Sequence, residues 1–136
     1  MEKERSVYST SALAYLGDSV IELCVRQHLV RMGLSSSARL NAVALEYVKA
    51  TKQAEAMKNI LPLLTEEEEA AFRRGRNMGH SNTPKSATVA EYRAATGMET
   101  LFGYLHLLGR SERIAELFAI AYKIENKNES EGNENE

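Results

Sequence analysis

Of nineteen acidic side chains in this sequence only Asp18 is an aspartate; the other eighteen are glutamates. Glutamate suits helix interiors better than aspartate, so the glutamate excess reads as helical propensity and the lone aspartate needs its own reason. It lies in Tyr15-Leu16-Gly17-Asp18-Ser19, an apolar segment with Glu22 one turn on. Two readings are open. Either Asp18 caps a helix that starts at Ser19 after a break at Gly17, or the helix is continuous and Gly17 lets a neighbouring backbone approach. In the second case Asp18 directs a carboxylate into a helix-lined cleft, where a divalent cation would neutralise it. Mg²⁺ needs only one or two protein carboxylates, with water and substrate phosphates completing its octahedron. Glu99 is the natural second ligand, set among Ala95, Thr96, Gly97 and Gly103. It either snorkels at the surface or pairs with a buried group. Small residues flank both acids, so helices crossing near Gly17 and Gly97 would bring Asp18 and Glu99 together.

A second constellation is basic. Arg73-Arg74-Gly75-Arg76-Asn77 is followed by His80, Asn82, Thr83 and Lys85, no acid occurs between Ala70 and Ala90, and Arg93 extends the patch. Guanidinium forks and short polar donors both bond phosphate oxygens, which suits a loop that contacts phosphates. A merely solvated basic loop is the alternative. The other chemistry-bearing types add little. His28, His80 and His106 are far apart, and with Cys24 they make no zinc spacing. No phosphate-binding glycine loop or nucleophile elbow appears.

The elements that must position these residues read as all-α. A first helix is expected from Ser11 to Met32, with Gly33 as its stop. The serines at 35–37 cap a second through Tyr47, and Thr51 opens a third that ends at Pro62. Thr65 with Glu68 forms a capping box for a fourth helix through Phe72. From Gly75 to Ser86 the composition is that of a loop. Thr88 then caps a long helix ended by Gly109, and Ser111 caps the last.

With 136 residues the chain is one domain's worth, assigned here to residues 1–124. The rest, 125–136, holds five glutamates against Lys127 and has no apolar residue, so it is expected to be a disordered acidic tail. Setting it aside leaves the body mildly positive despite a net charge of −2, which favours an anionic partner. A single cysteine and no apolar run of membrane-spanning length point to the cytoplasm and away from a membrane.

The segment Ala12 to Val20 resembles the signature helix of ribonuclease III nuclease domains, and Met98 to Leu105 resembles their second catalytic helix. The order and spacing of Thr65 to Glu69, Arg73 to Asn77 and Thr83-Pro84-Lys85 are closer to the short Mini-ribonuclease III branch. The resemblance implies a dimeric all-α fold and Mg²⁺-dependent cleavage of double-stranded RNA to 5′-phosphate ends. It also implies maturation of the 23S ribosomal RNA precursor, with a ribosomal protein as a candidate for presenting the substrate. Asp18 and Glu99 carry over as metal-binding catalytic acids. Arg73, Arg74, Arg76, Asn77, His80, Thr83, Lys85 and Arg93 would contact RNA. Larger relatives carry acids where this chain has Ala14 and Thr96. A module that grips structured ribosomal RNA without cutting it, and a helical interaction scaffold with no RNA role, are therefore the competing readings.

Overall fold

A computed structural model describes residues 8–79 and 85–125, and among them every regular element is helical. The helices are α1 (Thr10–Arg31), α2 (Ser37–Val48), α3 (Ala50–Ile60), α4 (Glu66–Arg76), α5 (Val89–Leu107) and α6 (Ser111–Ala121), with a 3₁₀ turn at Leu61–Leu63 around Pro62. The acidic tail beyond Glu125 lies outside the described residues.

Helix starts follow side-chain chemistry where a side chain is free to supply it. The hydroxyls of Ser9, Ser36, Thr65 and Thr88 accept from backbone N–H groups of α1, α2, α4 and α5, and full capping boxes close at Thr65/Glu68 and Thr88/Glu91. Two expected caps shift. Helix α3 opens at Ala50 behind an uncapped Lys49, which places Thr51 inside the first turn. Helix α6 has Arg110 at the cap position and Ser111 as its first residue. The Arg110 guanidinium is turned instead to Glu67 of α4.

Helix α5 is central, packing against α1, α3, α4 and α6. Its Met98, Leu101, Phe102 and Leu105 are fully buried against Ile21 and Val25 of α1, Met57 and Ile60 of α3, Phe72 of α4 and Leu117 of α6. Such an all-round apolar helix is a core helix rather than an amphipathic surface one.

Helix α4 runs further than its composition suggests. Gly75, read above as the start of a loop, is buried within the helix, where an added Cβ would lie 2.2 Å from the Thr100 hydroxyl and 2.7 Å from the Thr96 carbonyl oxygen. Packing onto α5 overrides glycine's weak helix propensity, of order 1 kcal/mol. The other end of α4 is fixed by charge. Glu68 is 2% exposed, and the Arg113 guanidinium of α6 donates to both its oxygens at 2.8 Å and to the Leu63 carbonyl at 3.0 Å. The hydrogen bond from Arg113 holds the Glu68 carboxyl below the usual range against the opposing effect of burial.

Arg113→Ala would leave Glu68 buried without its cation, which costs about 3 kcal/mol. Chemical denaturation at pH 7 should show that loss. Because the Glu68 pKa is depressed in the fold, its stabilisation is present above the unfolded carboxylate pKa and fades as pH falls. The gap between wild type and variant should therefore narrow in acid.

Candidate active site

The site is built on a contact between backbones. A Cβ added at Gly17 would lie 1.6 Å from the Glu99 carbonyl oxygen, and one at Gly103 would lie 2.0 Å from the Leu13 carbonyl oxygen. Helices α1 and α5 thus cross antiparallel with main chain on main chain, and α1 is continuous through Gly17 and Asp18. That continuity removes the capping reading of Asp18. The expected crossing partner changes as well: Gly97 faces α4, where its Cβ would strike the Phe72 ring at 2.6 Å, and Gly103 meets α1. Glycines six residues apart sit about 120° apart around a helix, so one glycine serves each neighbour.

The crossing puts the two acids within reach of each other. Glu99 is half-buried beside Asp18, so its partner is an exposed carboxylate and not the buried group that the paired alternative named. Burial first, then the charge of Asp18 and a side-chain hydrogen bond with it, push the Glu99 carboxyl up to about 8. Hard oxygen donors that raise one another's cost of ionisation at a close helix crossing suit a small divalent cation, whose charge would favour the ionised Glu99.

Around them the site is spare. Ala14 and Thr96, the positions where larger relatives carry acids, are buried, and the Thr96 hydroxyl donates to the Tyr92 carbonyl at 3.0 Å. Glu22, one turn beyond Asp18, is paired with Arg26 at 2.7 Å. Among the described residues no group of three or more His, Cys, Asp or Glu side chains could hold a metal. His28 instead stacks near Tyr47 with ring centroids 5.8 Å apart, and burial raises the thiol pKa of Cys24 beside the core.

The basic residues occupy the last turn of α4, with Asn77 as its C-cap, and not the loop their composition suggested. Arg73, Arg74 and Arg76 are exposed, as are Lys85 and Arg93. The Arg74 guanidinium donates to the Tyr8 carbonyl at 3.1 Å, and the Ser11 hydroxyl touches the Met78 sulfur at 3.5 Å. Ser11 precedes Asp18 by two turns on the same face of α1, roughly 10 Å along the axis. The basic end of α4 therefore borders the face that bears the carboxylates. Arg73 pairs loosely with Glu69 at 3.5 Å, and Arg76 lies over the Phe72 ring, 5.7 Å from its centroid. His80 and Thr83, also expected to contact RNA, lie outside the described residues.

Residues 11–110 match the Ribonuclease III domain family. The chain belongs to that family. Curated relatives named Mini-ribonuclease 3 include one from Symbiobacterium thermophilum, 47% identical over 80% of this chain and 84% of its own length. Another, from Brevibacillus brevis, is 39% identical over 91% of this chain and 92% of its own. A crystal structure of a protein from Fusobacterium nucleatum superposes with a TM-score of 0.77 at 33% identity, covering 86% of this chain and 93% of that one. The family assigns the chain as a ribonuclease III-type endoribonuclease with an all-α fold. The α1–α5 crossing carries two of the motifs on which the resemblance rested, Ala12 to Val20 and Met98 to Leu105.

Sequence reasoning missed Gly103, although its signal was present: a glycine between Phe102 and Tyr104 inside an apolar helix has no reason to be there except close approach.

In protein free of divalent cations, the raised Glu99 carboxyl contributes stability that is complete at acid pH and is lost as pH rises through about 8. Glu99→Gln should match wild type near pH 5 and exceed it by on the order of 2 kcal/mol above pH 8, as read from urea midpoints. Gly103→Ala should force the helices apart, costing roughly 3 kcal/mol and most nuclease activity. Gly79→Ala, with nothing near its added Cβ, should change neither.

Proposed function

We propose that this ribonuclease III-type enzyme is a Mg²⁺-dependent endoribonuclease of double-stranded RNA that acts as a homodimer in the cytoplasm. We further propose that it matures the 23S ribosomal RNA precursor, with a ribosomal protein as candidate presenter of that substrate. The observation that carries this reading is the Asp18–Glu99 pair at the α1–α5 crossing.

Asp18 and Glu99 are the residues that would hold the cation. When bound, Mg²⁺ supplies Lewis-acid polarisation of a phosphoryl oxygen and a water acidified for in-line attack, leaving 5′-phosphate and 3′-hydroxyl ends. The protein's own part is placement. Main-chain contact fixes the backbone positions from which the two carboxylates project, and precise placement is what in-line chemistry requires. Arg73, Arg74 and Arg76, with Asn77, Lys85 and Arg93, would hold phosphates and 2′-hydroxyls, and His80 and Thr83 extend the set by sequence. Such contacts recognise A-form shape more than base sequence. A dimer supplies one such centre per strand, in keeping with the approximate two-fold symmetry of a duplex. Tyr15, 83% exposed on α1 beside the site, is the kind of apolar side chain a second copy would cover.

One observation favours a second reading, binding without cleavage: with Ala14 and Thr96 buried, the site has two carboxylates and no more among the described residues. Incubation of duplex RNA and of a 23S precursor fragment with Mg²⁺ separates the two. Wild type should cut, whereas Asp18→Asn and Glu99→Ala should lose at least about a thousandfold in rate while retaining RNA affinity and the folded circular-dichroism spectrum. Wild type that binds but leaves every duplex intact would establish the second reading. In the same assay, replacing Arg73, Arg74 and Arg76 with Ala should flatten the dependence of affinity on salt.

A further inference from the structure

On the other side of α5 from the carboxylates, α3 and the start of α5 enclose a cleft of about 610 Å³, within the ~300–1,000 Å³ range of ligand sites. Ala90, which lines it, is nine residues from Glu99 and so about 180° around the helix. The floor is apolar, formed by Ala54, Met57, Phe72 and Ala94, and the rim carries Lys49, Lys52 and Lys58.

The charge of the rim is available to a ligand. Lys49 and Lys52 make only exposed pairs, with Glu46 at 2.8 Å and Glu55 at 3.5 Å, of the sort that contributes little and yields to a stronger anion. Lys58 has no ion pair among the described residues. Of the acids lining the cleft, Glu55 faces Lys52, and Glu91 is turned back to accept from the Thr88 backbone N–H at 2.9 Å.

Phe72 links the cleft to the basic end of α4: it forms part of the lining, and the exposed Arg76 guanidinium lies 5.7 Å from the centroid of the same ring. A guanidinium so exposed is a group on which a base can stack. A duplex lying over Asp18 and Glu99 is too stiff to wrap around α5, but an unpaired strand is not. Lysines beside an apolar floor, with an exposed arginine over the Phe72 ring that lines it, match what single-stranded nucleic acid requires.

We infer that this cleft binds a single-stranded RNA segment flanking the duplex, led into it over Arg76. The inference rests on the duplex-RNA reading above and adds a subsite to it.

The test compares a blunt RNA duplex with the same duplex carrying a single-stranded extension at the 3′ or the 5′ end. Affinity is measured by fluorescence anisotropy with Ca²⁺ in place of Mg²⁺, and cleavage is measured separately with Mg²⁺. Wild type should bind one extended RNA at least about fivefold more tightly than the blunt one. Lys52→Ala/Lys58→Ala should abolish that gain and lower the salt slope on the extended RNA by roughly 1.4, at ~0.7 per released single-strand contact. Blunt-duplex affinity and cleavage should stay unchanged, since both lysines are exposed helix positions where alanine is well tolerated. Equal affinity of wild type for blunt and extended RNAs would overturn the inference and leave the duplex reading standing, as would a double variant that keeps the gain. Loss of binding to every RNA would overturn both. Displacement of the extension by a polyglutamate peptide but not by free single-stranded RNA would reassign the cleft to an acidic protein.

Discussion

The contact of the α1 and α5 main chains at Gly17 and Gly103 is the constraint on which the rest depends. Hydrogen at Cα is the only substituent that fits there, because the opposing atoms are carbonyl oxygens of helices that cannot rotate aside. The same closeness brings exposed Asp18 and half-buried Glu99 near each other, and burial with the neighbouring Asp18 charge raises the Glu99 carboxyl. A wider crossing would have given two ordinary surface carboxylates. The chemistry of the site and the packing of the core are consequences of one interaxial distance.

A second glycine contact, Gly97 of α5 against Gly75 and Phe72 of α4, grips α5 from another side. The acids of α4 have been assigned to structure by their surroundings. Glu67 accepts from the Tyr104 hydroxyl and faces Arg110, and Glu68 binds Arg113 while completing its own helix cap. The basic end of the same helix stays exposed. Helix α4 is thus polarised, with Glu67 and Glu68 tied to arginines of the last helix segment at its N-terminus and cations offered to solvent at its C-terminus. Both ends also complement the helix dipole.

Much of the local grammar of the fold was legible in the sequence: the hydroxyl caps at Ser36 and Thr88, the Thr65/Glu68 box, the stop at Gly109 and the long apolar α5 are all short-range signals, whereas Thr51 and Ser111 do not cap. The pairing of Asp18 with Glu99 was legible through the small residues around them. The identity of the glycine that makes the crossing was not, because α5 carries small residues on several faces and the sequence does not say which neighbour each one meets. The extension of α4 through Gly75 was hidden for the same reason: the burial that stabilises it comes from Thr96 and Thr100, some twenty residues away. The Glu68–Arg113 bond spans 45 residues, beyond any local pattern.

The placement of α5 also bears on how the chain folds. The helix that receives α1, α3 and α4 occupies Val89–Leu107, after all of them in sequence. While the chain is being synthesised, the apolar faces of Ile21, Val25, Met57 and Phe72 lack the central helix they share until that segment emerges. Their contacts with it close loops of tens of residues, so assembly is governed by long-range pairing despite the purely helical content. Secondary structure alone would rank this protein with the rapidly folding helical bundles, whereas its connectivity makes the core wait for its own centre.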